Sequence, residues 1–348
     1  LGWKVRAAVR AGQWTVVAAT IEAMKPAQQA EPIWRYWLGR AYQQQGQTEA
    51  ALALWRPIAG SQGFYEQLAL DQLGLPVQTP SPPLPLSPSE KQAAAHNPGF
   101  KRALQAIEWD LRSEGVKEWN YTAFLHTPGG MSERELLAAA ELACEFEVWD
   151  RCINTSARTR HEINHVQRFP TPFASQVVRH ANRIGLNPAY VYGLIRQESR
   201  FVYDARSHVG ASGLMQVMPA TAKWTAKKIG LNGFDPKQLN DSETNIVIGT
   251  AYLKLVLDDF EGSMPMAAAA YNAGPSRPRQ WRNGPTLEAA IWIENIPFTE
   301  TRTYVKNVLA NTTNYAAQLT GQAQRIGQFL KPIGPRTQTA QALDTDLP

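Results

Sequence analysis

Five prolines crowd one short stretch of the chain, Pro80, Pro82, Pro83, Pro85 and Pro88, and they decide how everything else can be organised. Each fixes φ at about −65° and removes a backbone donor, so neither a helix nor a sheet ladder passes through residues 77–90. The stretch reads as an extended spacer between two helical regions. The other reading is a PxxP-type ligand segment.

Before the spacer, residues 1–76 read as helical hairpins. Apolar positions recur at three- and four-residue spacing, and small turn residues such as Gly46 and Gly60 separate the runs. Trp37, Leu38, Gly39, Tyr42, Ala51 and Trp55 fall on the tetratricopeptide spacing, which predicts the end of a superhelical array. Such an array serves as a scaffold or as a docking surface.

After the spacer, residues 91–168 are helical again, with stripes Leu104-Ile107-Leu111 and Leu136-Leu137-Ala140-Cys144. The two cysteines, Cys144 and Cys152, stand too far apart for a bridge on one continuous helix, but could close if residues 145–148 form a turn between antiparallel helices. His161-Glu162-Ile163-Asn164-His165 fits the His-Glu-x-x-His zinc pattern. It lacks a third ligand at a recognisable spacing, and Pro170 and Pro172 close the helix soon after, so the pair reads as two surface histidines near a helix end rather than as a metal site.

A chain of 348 residues is long enough for two or three domains with real cores. No apolar run approaches the roughly 20 residues of a membrane helix, which excludes a helical membrane span. The net charge of +5 suits a polyanionic partner, but the basic residues are scattered and fit a solvated surface as well, so nucleic acid is not indicated. The chain starts at Leu1 inside an amphipathic pattern without an export leader, which reads as a missing N-terminus.

Chemistry concentrates beyond residue 171. Asn187-Pro188 reads as a helix opening, with Asn as cap and Pro at the first helical position. Val191, Leu194, Ile195 and Glu198 follow at i, i+3, i+4 and i+7, so one stripe carries three aliphatic side chains and a carboxylate. Burial and the negative end of the helix dipole both favour the protonated form of Glu198. An acid that keeps its proton at neutral pH is what protonation of a leaving sugar oxygen requires. The plainer reading is a buried Glu paired to Arg200 or Arg206.

Two further stretches shift that balance. The run from Arg206 to Pro219 is rich in glycine and poor in helix formers, and it offers Ser207 and Gln216 as hydrogen-bonding groups and Met215 and Met218 as adaptable apolar surface. Small residues from Met266 to Ala270 then deliver Tyr271-Asn272-Ala273-Gly274-Pro275, a helix stop that leaves a tyrosine at a helix end. Asp204, six residues beyond Glu198, is the local candidate for a second carboxylate, but its turn position suits solvent or backbone capping better.

In order and spacing these blocks resemble the soluble lytic transglycosylases, members of the lysozyme-like superfamily. The matching residues are Glu198-Ser199, Gly210-Ala211-Ser212-Gly213-Leu214-Met215-Gln216, Ala270-Tyr271-Asn272-Ala273-Gly274, and Glu294-Asn295-Ile296-Pro297-Phe298 with Glu300, Thr301 and Arg302. The resemblance runs from about Phe173 to Tyr315. It implies an all-α chain, with a TPR-like superhelical region before a lysozyme-like, mainly α catalytic domain. Its expected organisation is residues 1–76 as hairpins, 77–90 as linker, 91–168 as a helical linker domain, 169–330 as the catalytic domain and 331–348 as a disordered tail. The spacer is longer than the family pattern suggests.

The resemblance also implies roles. Glu198 becomes the catalytic acid and base; Ser207, Met215, Gln216, Met218, Tyr271, Asn272 and Glu294 bind substrate; Asn245 and Tyr252 pack behind the site. The substrate would be peptidoglycan glycan strands in the periplasm, cleaved without hydrolysis to 1,6-anhydromuramoyl ends. No metal or cofactor is implied, and cell-wall synthesis or division proteins are expected partners. A hydrolytic lysozyme on the same fold and a non-catalytic glycan-binding scaffold remain the alternatives.

Overall fold

The computed structural model describes residues 1–336 and 347–348. Among them the chain is all-α; extended pairing is limited to isolated bridges. The first helices are α1 (Gly2–Arg10), α2 (Trp14–Glu22), α3 (Pro26–Gln29), α4 (Pro32–Gln44), α5 (Thr48–Trp55) and α6 (Phe64–Gln72). Then come α7 (Pro88–His96), α8 (Pro98–Glu108), α9 (Arg112–Phe124), α10 (Glu133–Glu145), α11 (Trp149–Ser156) and α12 (His165–Arg168). The remainder are α13 (Ala174–Arg183), α14 (Pro188–Glu198), α15 (Pro219–Lys228), α16 (Ser242–Asp259), α17 (Met264–Ala273), α18 (Ser276–Trp281), α19 (Ala289–Glu294) and α20 (Thr299–Thr320).

These helices form two compact units. One combines Leu1–Gln78, Ser175–Glu198 and Arg206–Pro348; the other combines Thr79–Ala174 with Ser199–Ala205. Unit order is therefore not chain order: the N-terminal hairpins share a unit with the C-terminal helices, because long-range contacts bind them. Arg40 of α4 forks onto Glu288 at 2.9 and 3.0 Å, and Gln67 of α6 donates to the Ala310 carbonyl of α20 at 3.0 Å. The tetratricopeptide spacing is realised in α4 and α5, where the Trp55 indole lies against Gly39 and donates to the Tyr36 carbonyl at 3.2 Å.

The first unit is organised around α14 and α20. Gly193 lets them approach: a Cβ there would stand 2.5 Å from the Thr312 hydroxyl and 2.9 Å from the Val308 carbonyl. Val191, Leu194 and Ile195 are fully buried, as are Val305, Val308 and Leu309 opposite them. Burial of such side chains contributes roughly 1.5–3 kcal/mol each, so the stripe read from the sequence is the wall on which this unit is built. The first residues of the expected tail are packed: Leu287 and Ile333 exchange backbone hydrogen bonds at 2.8 and 2.9 Å, and Ile333 is buried. An apolar side chain with somewhere to go thus holds residues 331–336, while the rest of the expected tail, 337–346, lies outside the described residues.

In the second unit the spacer is not free. Arg134 donates to the carbonyls of Leu84 and Pro85 at 2.7 and 3.1 Å and pairs with Glu90. Its last proline also ends it early, since Pro88 opens α7 behind a Ser87–Glu90 capping box, the helical position where a missing N–H costs nothing. Phe100 and Trp119, 4.4 Å apart between ring centroids, sit in a core with Ala139, Ala143 and Cys152. Residues 146–148 turn between α10 and α11, bringing Cys144 and Cys152 to 5.1 Å between Cα atoms, and the two form a disulfide.

Of the two histidines expected at the surface, one is buried. His161 is exposed and pairs with Glu133 at 3.2 Å, but His165 is only 3% exposed and stacks on Phe169 at 4.7 Å. The segment between them is not helical, so the two imidazoles do not share a helix face. Among the described residues no group of three or more His, Cys, Asp or Glu is placed to hold a metal. No described helix is long and apolar enough to cross a membrane.

Candidate active site

Glu198 is the last residue of α14. The helix starts as its sequence predicts, with Asn187 accepting from the Ala189 N–H at 2.9 Å and Pro188 in the first turn. Eleven residues later the buried stripe delivers Glu198 half-buried at the helix end. Removal from water pushes its carboxyl up to about 7; a hydrogen bond from the Tyr304 hydroxyl opposes that shift, and the charge of Glu300 adds to it. Desolvation wins because a single neutral donor cannot replace a full hydration shell.

Tyr304 comes from α20 and Tyr271 from the end of α17. Burial pushes both phenols well above their ordinary range, and the Glu198 carboxylate pushes them further, so they remain donors. The Tyr271 hydroxyl donates to the Met215 carbonyl at 2.8 Å, and its ring lies 5.4 Å from that of Tyr252. Asn272, next in line, accepts from the Thr301 hydroxyl at 2.7 Å.

The glycine-rich stretch folds into back-to-back turns, with Ser212 bridged to both Arg206 and Val217. Ser207 pins one turn, its hydroxyl oxygen accepting from the Ala211 N–H at 3.0 Å. Gln216 has φ +46° and donates to the Gly213 carbonyl at 2.8 Å. Asn245 of α16 supports the whole stretch from below. Its Oδ1 accepts from the Met215 N–H, and its Nδ2 donates to the carbonyls of Ser212 and Leu239, all at 2.9 Å. Gly213 makes this possible, since its φ is +77° and a Cβ would lie 2.0 Å from Asn245 Nδ2.

Two of the expected substrate contacts are placed differently. The Met215 side chain is 0% exposed and packs on Gly249, so it holds the loop from inside rather than presenting sulfur to a ligand. Glu294 is 1% exposed and enclosed by Arg6, Tyr65 and Lys306; a carboxylate so fully paired within the protein offers nothing to a sugar. Met218 is 40% exposed, Ser207, Gln216, Tyr271 and Asn272 are half-buried, and Asp204 is exposed. Tyr304 escaped the sequence reading as a site residue. Its signal was its place in the polar block after Glu294, which motif order alone could not aim at Glu198.

The profile described as the transglycosylase SLT domain matches residues 176–290, which hold Glu198, the glycine-rich turns and Tyr271. That of the soluble lytic transglycosylase helical domain matches residues 295–324. Soluble lytic murein transglycosylase of Escherichia coli is 32% identical over 285 residues, 81% of this chain and 43% of that protein. The chain matches the SLT domain family and is similar along most of its length to the soluble lytic transglycosylases.

Solved structures agree with that similarity. Lytic transglycosylase Slt of Pseudomonas aeruginosa, as an inactive mutant, superposes with a TM-score of 0.82 at 34% identity, covering 93% of this chain and 52% of its own. The 70 kDa soluble lytic transglycosylase of Escherichia coli does so at 0.78 and 29%, covering 95% and 52%. The chain thus spans about half the length of the relatives it matches.

Proposed function

We propose that this chain carries a peptidoglycan lytic transglycosylase, cleaving the β-1,4 bond between N-acetylmuramic acid and N-acetylglucosamine without water. The observation that carries the reading is a carboxyl at the end of a buried helix stripe whose proton affinity burial raises to about 7. Glu198 gives its proton to the leaving glycosidic oxygen. As a carboxylate, it then accepts the proton of the substrate's own 6-hydroxyl as that oxygen closes on the anomeric carbon. One group serves as acid and then as base, because the nucleophile comes from the substrate and needs no second carboxyl to activate water. The reading calls for no metal and no organic cofactor.

Ser207, Gln216, Met218, Tyr271 and Asn272 are the residues we assign to the glycan. They border the turns and the helix end beside Glu198 and mix apolar surface with hydrogen-bonding groups, as a sugar's faces and edges require. The family relationship supports murein as substrate and the periplasm as the place of action.

Mass spectrometry of digested sacculi tests the reading. A transglycosylase releases muramoyl ends one water lighter than the reducing ends a lysozyme leaves. Reducing ends alone would replace the proposal with hydrolysis, and no new ends at all would replace it with glycan binding.

A further inference from the structure

Glu294 closes α19 in an almost completely enclosed setting. Its Oε1 accepts from Arg6 Nε of α1 at 2.7 Å, and its Oε2 accepts from the Tyr65 hydroxyl of α6 and the Lys306 ammonium of α20. A carboxylate so far from water persists only where such partners replace its hydration. At 1% exposure its carboxylate cannot reach a substrate, so any part it takes in glycan cleavage is indirect.

Its neighbours grip the same region. Arg302, one turn before Lys306, donates to the Ile296 carbonyl at 2.7 Å and to the Thr299 hydroxyl at 3.1 Å, while its guanidinium lies 5.0 Å from the Trp3 ring of α1. The turn from α19 into α20 is therefore held by α1 and α6 through Arg302, Lys306 and Glu294. Tyr304 sits midway between Arg302 and Lys306. At about 100° per residue it points to the opposite side of α20, where its hydroxyl meets Glu198.

We propose that Glu294 is a positioning residue for the active site: by locking the first turns of α20 onto α1 and α6, it holds the Tyr304 hydroxyl against Glu198. The proposal rests on the transglycosylase reading and goes beyond it, because it makes residues 1–78 part of what aligns the catalytic acid.

A double-mutant cycle on the full chain tests it. Glu294→Gln keeps the side-chain size but leaves Arg6 and Lys306 without a carboxylate. Anhydro-end release is measured for the wild type, Glu294→Gln, Tyr304→Phe and the double variant. The expected result is a kcat at least ~10-fold lower in Glu294→Gln with KM within ~2-fold, and a double variant within ~2-fold of Tyr304→Phe alone, since both changes remove the same contact. Losses that multiply in the double variant, or a Glu294→Gln kcat equal to the wild type, would overturn the proposal. If Glu294→Gln does not fold, Tyr65→Phe, which deletes one hydroxyl from the cluster, enters the cycle in its place under the same criteria. A wild type that releases no anhydro ends contradicts the functional reading, whereas an active wild type with multiplying losses contradicts only the role of Glu294.

Discussion

The Tyr304 hydroxyl donates to Oε1 of Glu198, across the helix pair α14 and α20. This contact joins the carboxyl proposed as general acid to a donor that burial and the neighbouring carboxylate keep protonated. When Glu198 is neutral the hydrogen bond orients the carboxyl; in the proposed mechanism, where its proton passes to the leaving oxygen, the same bond stabilises the anion. In that mechanism the pair favours the charge that develops during bond cleavage, which is where stabilisation accelerates a reaction.

Tyr304→Phe removes that donor. Because the hydrogen bond lowers the proton affinity of Glu198, its loss moves the alkaline limb of the pH–rate profile upward. The rate itself falls by roughly 10²-fold. Steady-state rates across pH 5–9 check both effects together.

Glu198 also links activity to stability. Its folded proton affinity, at about 7, stands above its ordinary value of 4.5, so folding binds a proton that the unfolded chain releases. The stability it contributes is fully present below about pH 4.5 and lost as pH rises through about 7. Glu198→Gln has no such loss. The variant is expected to be more stable than the wild type at pH 8, by at most about 3 kcal/mol, and no more stable at pH 4. Urea unfolding at the two pH values shows whether the sign is right.

Much of this site was legible because its signals are local. Asn187, Pro188 and the spacing of Val191, Leu194, Ile195 and Glu198 define a capped helix with an acid on its buried stripe, and nothing remote had to be known. Glu294 and Met215 were misplaced for the opposite reason. The partners that enclose Glu294 include Arg6 and Tyr65, more than two hundred residues earlier, and the cavity that takes Met215 exists only because Gly249 lies on another helix. His165 is similar: its burial depends on tertiary packing that a two-histidine pattern does not encode.

Asn245→Ala removes a buried side chain that makes three hydrogen bonds to the backbone beneath the glycine-rich turns. Orphaned backbone groups make this costly, about 2–4 kcal/mol. Since the turns carry Ser207 and Gln216, KM for glycan should rise as well. Thermal melts and saturation kinetics on the same preparation check the two consequences.

The disulfide between Cys144 and Cys152 closes a short loop around the turn from α10 to α11. Loop-closure entropy for a loop of that size gives about 2–3 kcal/mol. Cys144→Ala combined with Cys152→Ala should destabilise the unit of Thr79–Ala174 by that order, read as earlier proteolysis within it.

The most direct measurement is the pH dependence of kcat/KM for anhydro-end release, with Glu198→Gln as the reference. A single buried acid that must start protonated predicts a rate that declines with an apparent pKa near 7, and a loss of roughly 10³-fold or more in the Gln variant. A rate that climbs through pH 7 to 8, or a Gln variant that still turns over, would contradict the account.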